Sequence, residues 1–331
     1  MLGLVNKLSR AGVMGINKRN CDYIQVYNPR RYYPLVDDKL RTKQLAITAG
    51  IVVPELYGVI EIEHQIRELP AFLKKYPDFA LKPAQGTGGE GIEVIVARTR
   101  NAYKKANGQL ISDEQLQHHV SNILNGLFSL GGHQDKAIIE YRVKFDPIFD
   151  AISFQGVPDI RIIVFLGVPV MAMLRLPTQL SGGKANLHQG ALGVGIDLAT
   201  GRTLHAVWKN TVIHEHPDTH QSVQDFSIPH WDELLMIAAK CATLTGLEYI
   251  GVDIVLDRVK GPMLLEMNAR PGLSIQIANN TGLVHRLEFI KNNARLLGSV
   301  EDRVAFAQKM VSRLTRKALH ESIPDVNIPA D

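Results

Sequence analysis

Two apolar runs near the C-terminal end, residues 249–256 and 263–267, flank a polar break holding Asp257, Arg258, Lys260, Gly261 and Pro262. That is the pattern of a β-hairpin. A second hairpin is expected from residues 160–166 and 168–174 around Gly167, and a strand pair from the alternation over residues 203–213. Apolar and β-branched stretches predict strands at 79–83, 92–97 and 136–143, and a short one at 23–27. Helices are expected over 39–48, with Asp37 and Asp38 at its capping end and Gly50 and Pro54 past its close, and over 62–75, 113–127, 231–246, 283–298 and 301–319. Residues 28–34 read as a loop rich in Tyr and Arg, 155–159 as a turn, 181–195 as a glycine-rich loop, and the tail from 323 as loose. Short strands in hairpins alternating with helices predict an α+β fold rather than a doubly wound parallel sheet.

The hairpin carries candidate chemistry. Glu266 and Asn268 are two residues apart, so on a strand they share a face. A turn centred between Val259 and Lys260 sets Asp253 opposite Glu266, with Cβ atoms roughly 5 Å apart. Two carboxylates that close repel unless a cation lies between them, and a few oxygen ligands suit Mg²⁺ shared with substrate phosphates. The alternative is a hairpin with its polar side chains in water.

Between the strands at 79–83 and 92–97 lie Gly86, Gly88, Gly89 and Gly91. Such a loop lets the backbone turn its N–H groups on a polyphosphate. It is not a P-loop, because no Lys-Ser or Lys-Thr follows, and not a dinucleotide fingerprint, because a strand follows. Lys82, just before the loop, could reach phosphates lying under it; a plain flexible hairpin is the alternative. His214, His216 and His220, interspersed with Glu215 and Asp218, read as a solvated turn rather than a metal cluster.

The totals narrow the classes. A net charge of +4, from 37 basic and 33 acidic residues, is too mild to argue for nucleic acid, though it favours anionic ligands. Cys21 and Cys241 form no metal or disulfide pattern, which fits a reducing cytoplasm. No apolar run reaches the roughly 18 residues of a membrane span. Residues 1–18 lack the features of a signal peptide. They read as a basic amphipathic helix, with Leu2, Val5, Leu8 and Val13 apolar and Lys7, Arg10 and Lys18 basic. A helix packed on the main domain is the simpler expectation; contact with a membrane or a protein partner is the other.

In this order the motifs resemble the ATP-grasp ligases, and most closely their alpha-L-glutamate ligase branch. The resemblance runs from Asp38-Lys39 through Leu81-Lys82-Pro83, the glycine loop, Ile139-Glu140-Tyr141-Arg142-Val143, Pro158-Asp159-Ile160-Arg161, Ala185-Asn186-Leu187-His188-Gln189-Gly190 and Gly251-Val252-Asp253-Ile254 to Leu265-Glu266-Met267-Asn268-Ala269-Arg270-Pro271-Gly272. It implies two lobes with antiparallel sheets clamping ATP: a lobe over 38–140 with the lid, a catalytic lobe over 141–322, an N-terminal extension over 1–37 and a tail over 323–331. It also implies roles. Lys39 and Lys82 neutralise phosphates, with Lys43 the alternative to Lys39. Gly86, Thr87, Gly88 and Gly89 close over those phosphates. Glu140 and the backbone of Tyr141 and Val143 read adenine, and Asp159 the ribose. Arg175 meets the γ-phosphate, and Asp253, Glu266 and Asn268 hold one or two Mg²⁺, or Mn²⁺. Asn186, His188 and Arg270 lie where an acyl phosphate meets an amine.

Glu140 and Asp159 could instead be solvated strand ends, His188 a loop histidine, Arg161 a structural ion-pair partner, and Arg270 a partner of Glu266 or of an acceptor carboxylate. The implied activity joins a carboxylate to an amine through an acyl phosphate, adding an amino acid such as glutamate to a peptide, protein or small amine. An ATP-binding module without turnover is the competing class. Relatives of this kind carry a separate domain ahead of the Asp-Lys helix, where only 37 residues stand here. The acceptor is therefore expected to be held by the C-terminal lobe together with a large partner protein, or the site to be completed by a second subunit of a homo-oligomer.

Overall fold

The computed structural model of the chain describes residues 2–86, 88–99, 102–209, 211–294 and 297–321. Two antiparallel sheets organise it, each over its own core. The first contains β1 (Leu56–Ile60), β2 (Phe79–Pro83), β3 (Glu93–Arg98), β4 (Tyr103–Lys105), β5 (Leu110–Ile111) and β6 (Ala137–Glu140), in the order β1-β6-β2-β3-β4-β5. Helix Asp113–Leu124 covers it, burying Leu116, Val120 and Ile123 against Phe79, Leu81, Ile95 and Ile139. Ser112 opens that helix with a reciprocal cap: its hydroxyl accepts from the Gln115 N–H, and the Gln115 side chain accepts from the Ser112 N–H.

The second sheet contains β7 (Asp159–Phe165), β8 (Val168–Leu176), β9 (Leu192–Ile196), β10 (Thr203–Trp208), β11 (Thr211–Ile213), β12 (Tyr249–Asp257) and β13 (Gly261–Asn268), in the order β11-β10-β9-β8-β7-β12-β13. All nine residues of β12 are buried. Helix Trp231–Thr245 packs on its central strands and ends at Gly246 in the left-handed conformation.

The α+β expectation holds, and so do the 39–48 helix, capped by Asp38, and the two hairpins of the second sheet. The expected pairing of Asp253 with Glu266 is reached by another route. A three-residue turn joins Asp257 to Gly261, and a bulge at Leu265 then restores the offset. The bulge turns both Leu265 and Glu266 toward one cavity.

Several expectations fail for physical reasons. Residues 23–27 are helical rather than a strand, because Tyr23, Ile24 and Tyr27 must all face the same aromatic core as Phe165 and Tyr249. Residues 62–75 form mostly 3₁₀ turns around a short α segment starting at Leu69-Pro70, since proline has no N–H to continue a ladder. The 181–195 loop ends in β9, whose two glycines pack against Leu187, Ala278 and Asn279. Strands β1, β4 and β5 have too short a pattern to read. His214, Glu215 and His220 are exposed and no metal-holding cluster forms there among the described residues, but His216 is fully buried, its Nε2 meeting the Pro177 carbonyl at 2.9 Å, so the turn is anchored rather than wholly solvated. Of the N-terminal segment expected to pack on the main domain, Asn6 to Ala11 are exposed, while Gly12 and Met14 are buried, Met14 in the second core. Thr87 and the tail from 323 lie outside the described residues.

Ile162 is fully buried at the centre of the second core. Ile162→Ala should cost about 2–5 kcal/mol by the loss of transfer energy and the cavity left behind. Val259→Ala, at a site 77% exposed, should cost almost nothing. Urea unfolding of the two variants measures the difference.

Candidate nucleotide and metal site

Between the sheets lies a cavity of about 740 Å³, within the usual range for small-molecule sites. Lys39, Lys82, Gly88 and Gly89 line it from the first lobe, and Val143 from the connection between the lobes. From the second lobe come Asp159, Arg161, Arg175, Asn186, Asp253, Glu266 and Asn268.

Gly88 and Gly89 have φ of +67° and +76°, a conformation that favours glycine. The loop is tied at both ends. The Asp135 carboxylate accepts from the Gln85 N–H at 2.9 Å, and His119 Nε2 meets the Gly91 carbonyl at 2.9 Å. In the middle, the Gly88 carbonyl accepts from Asn186 Nδ2 at 3.0 Å and Gln189 Nε2 at 3.3 Å, so the second lobe grips the loop across the cavity. Neither Asp135 nor His119 had a sequence signal; Gln189 lies inside a recognised motif.

Lys39 sits beneath the loop, its Nζ donating to the Gly86 carbonyl at 2.6 Å. Burial lowers its pKa, and Glu266 across the cavity opposes that shift. Lys43 does not reach the cavity. It is buried, donating to the Pro54 carbonyl and pairing with Glu140 at 3.0 Å. Lys82 pairs with the other Glu140 oxygen at 2.5 Å. Glu140 is thus the shared counter-charge of two buried lysines rather than a solvated strand end. The Tyr141 N–H donates to the Glu55 carbonyl at 2.8 Å, and its hydroxyl to Asp257. That backbone donor is therefore already in use.

In the second lobe the strand register sets a row of charges. Asp159 pairs in register with Arg175, and Asp253 with Arg161 on one side and Glu266 on the other. Arg175 makes a two-pronged contact with Asp159, at 2.5 and 2.6 Å, and also reaches Asp253 at 2.6 Å. Arg161 grips both Asp253 oxygens, at 2.6 and 2.5 Å, and stands 3.9 Å from Glu266. Burial pushes Asp253 up, but the two guanidiniums outweigh it and hold its pKa below the usual carboxylate range. Burial raises Asp159, against the pull of Arg175. Arg161 is the structural ion-pair partner the sequence suggests, and it also lines the cavity.

The oxygen donors fit a hard divalent cation. A carboxylate offers about four acceptor positions. Asp253 uses three, and Glu266 is half-exposed to the cavity. Asn268 Oδ1 accepts one bond, from the Arg270 N–H at 2.8 Å. Two candidate residues stand apart. The His188 side chain is exposed and outside the cavity lining. The Arg270 guanidinium turns away from Glu266, to the Tyr33 ring at 5.2 Å and to Asp37 at 3.8 Å.

A family description, sugar-transfer associated ATP-grasp, matches residues 18–292. The chain belongs to that family. Curated relatives of this ATP-grasp chain include probable alpha-L-glutamate ligases. That of Klebsiella pneumoniae (strain 342) is 25% identical over 236 residues, 71% of this chain and 56% of the relative. That of Serratia proteamaculans (strain 568) is 25% identical over 261 residues, 78% and 64%. The chain thus spans 56% and 64% of these relatives' length, less than two thirds of either. Among solved structures, the ATP-grasp ligase PsnB with its minimal precursor is 15% identical, covering 86% of this chain and 63% of that one, with a TM-score of 0.43. The D-cycloserine synthetase DcsG is 17% identical, covering 82% and 73%, with a TM-score of 0.42.

Glu140→Ala should leave two buried ammonium groups uncompensated and cost about 3–5 kcal/mol. Chemical unfolding without nucleotide checks this. If Glu140 served only to read a base, unfolding would not change.

Proposed function

We propose that the chain activates a carboxylate with ATP and joins it to an amine through an acyl phosphate. The observation that carries this reading is the facing of two walls across one cavity. Lys39, Lys82 and the positive-φ glycines form one, and the oxygen donors Asp253, Glu266 and Asn268 the other. One wall suits a polyphosphate, the other the cation that accompanies it.

A carboxylate oxygen attacks the γ-phosphorus, the bond to the bridging oxygen breaks, and ADP leaves. The amine then attacks the acyl carbon, loses a proton, and phosphate departs. Lys39 and Lys82 offset phosphate charge as point cations. Arg175, fixed by Asp159 and Asp253, presents a preorganised positive charge to the transferred group. The loop, held by Asn186 and Gln189, excludes water from the hydrolysable acyl phosphate. Mg²⁺ held by Asp253, Glu266 and Asn268 would supply Lewis-acid neutralisation of the triphosphate. Adenine would lie against Val143 and Leu265, both in the cavity wall. The name of the curated relatives, probable alpha-L-glutamate ligase, supports glutamate or a similar amino acid as one substrate; the other, in this reading, is a peptide, protein or small amine.

One observation favours a nucleotide-binding module without turnover: both Asp253 oxygens are already engaged by arginines. ADP production separates the two readings. With pools of amino acids and peptides, the chain should release ADP, and hydroxylamine should trap an acyl hydroxamate. Glu266→Ala should reduce ADP release by at least about 100-fold, the scale of a lost charge-stabilising group, while the half-exposed position leaves unfolding unchanged. ATP binding without ADP would favour the module, and undiminished turnover in Glu266→Ala would refute the metal assignment.

A further inference from the structure

The first 36 residues hold six basic side chains and one acidic one, Asp22. The other 295 hold 31 basic against 32 acidic, so all of the net positive charge resides in this segment. Within it, helix Leu2–Arg10 presents Asn6, Lys7, Leu8, Ser9 and Arg10, all exposed and covered by nothing among the described residues. Further apolar side chains follow in the open: Val13 at 37%, Ile16 at 60% and Val26 at 64% exposure.

The helix is fastened, not trailing. The Arg10 carbonyl meets His285 Nε2 at 2.8 Å, and the Val284 N–H donates to the Gly12 carbonyl at 2.9 Å. The Met14 N–H donates to Gln276 Oε1 at 2.8 Å, and its carbonyl accepts from Gln276 Nε2 at 3.0 Å. A Cβ on Gly12 would lie 2.6 Å from the His285 ring, so the seat is close-fitting. The helix and the residues that fasten it, Arg10, Gly12 and Met14, precede residue 18, where the family match begins, whereas their partners Gln276, Val284 and His285 lie inside it.

We propose that this segment docks the chain on an anionic membrane surface. A basic amphipathic helix of low overall hydrophobicity lies in the headgroup plane, its apolar side buried and its cations on lipid phosphates. Nucleic acid would use the charge but leave Leu8 and Ile16 without cover. At nine residues the helix is only about 13 Å long, so neither the apolar nor the electrostatic contribution suffices alone, and attachment is reversible and salt-sensitive. Arg19 Nη1 donates to the Pro271 carbonyl at 3.0 Å, which puts the docked segment beside the loop that follows Asn268.

The test is flotation of the full chain with phosphatidylcholine vesicles, with and without phosphatidylglycerol, at low and high salt. The chain should float only with phosphatidylglycerol, and high salt should release it. Lys7→Gln with Arg10→Gln should weaken binding about 30-fold, from roughly fivefold per basic residue near such a surface. Leu8→Glu should weaken it about tenfold or more. Lys74→Gln with Lys75→Gln, an exposed pair on the other lobe, should change nothing. Unaltered thermal unfolding shows that each variant is folded. The proposal is overturned by failure to float on phosphatidylglycerol, by equal losses for the two basic pairs, or by indifference to Leu8→Glu. It is likewise overturned by a dimer that Leu8→Glu disperses, which would assign the helix to a second copy. None of these outcomes bears on the ligase reading, which stands or falls on ADP release.

Discussion

Arg161 and Arg175 are the cations around which the second lobe's site is built. Each is mostly buried and touches at least one buried carboxylate. A buried charge without a partner is costly, and pairing repays the desolvation only when the geometry is good. Here the sheet provides the geometry. Register sets Arg175 beside Asp159, and Arg161 beside Asp253, with no loop involved in either placement. A slip of one residue between β7 and β12 would turn Asp253 or Arg161 to the opposite face and strand its partner. The charges therefore help specify the pairing that the apolar faces also require.

The first lobe answers the same constraint with one acid and two bases. Glu140 neutralises Lys43 and Lys82, and only Lys82 of the two also faces the cavity. The two lobes meet through the glycine loop, where side chains of one lobe hold a backbone carbonyl of the other. Backbone-mediated closure suits a lid over an anionic ligand: the loop carries no side-chain charge at its glycines, and N–H groups remain to be turned toward phosphate. Fixed charges on both sides mean that little reorganisation is needed when a substrate enters.

Much of this was legible in the sequence. The Asp253–Glu266 pairing was expected from strand period and turn position, although the bulge at Leu265 was invisible and the turn centres on Val259, half a residue before the expected point, so the register near the turn differs by one. Asp38 announced its helix because a cap is a local signal. Tyr23-Ile24-Gln25-Val26-Tyr27 misled because its β-like composition is overridden by a tertiary demand to set three side chains on one aromatic core. His188 and Arg270 carried family-like positions, but a side chain's direction on a loop is not encoded by spacing. Asp135 and His119, which fasten the lid, lie far from it in the chain and belong to no motif.

The central claim is that a triphosphate lies between the glycine loop and a cation held by three oxygen donors. Crystals grown with a non-hydrolysable ATP analogue and Mn²⁺ test it directly through the metal's anomalous signal. The account predicts a peak within coordination distance of Asp253, Glu266 and Asn268, with the phosphates beneath Gly88 and Gly89. A peak bound elsewhere, or a nucleotide whose phosphates lie away from that loop, would contradict it.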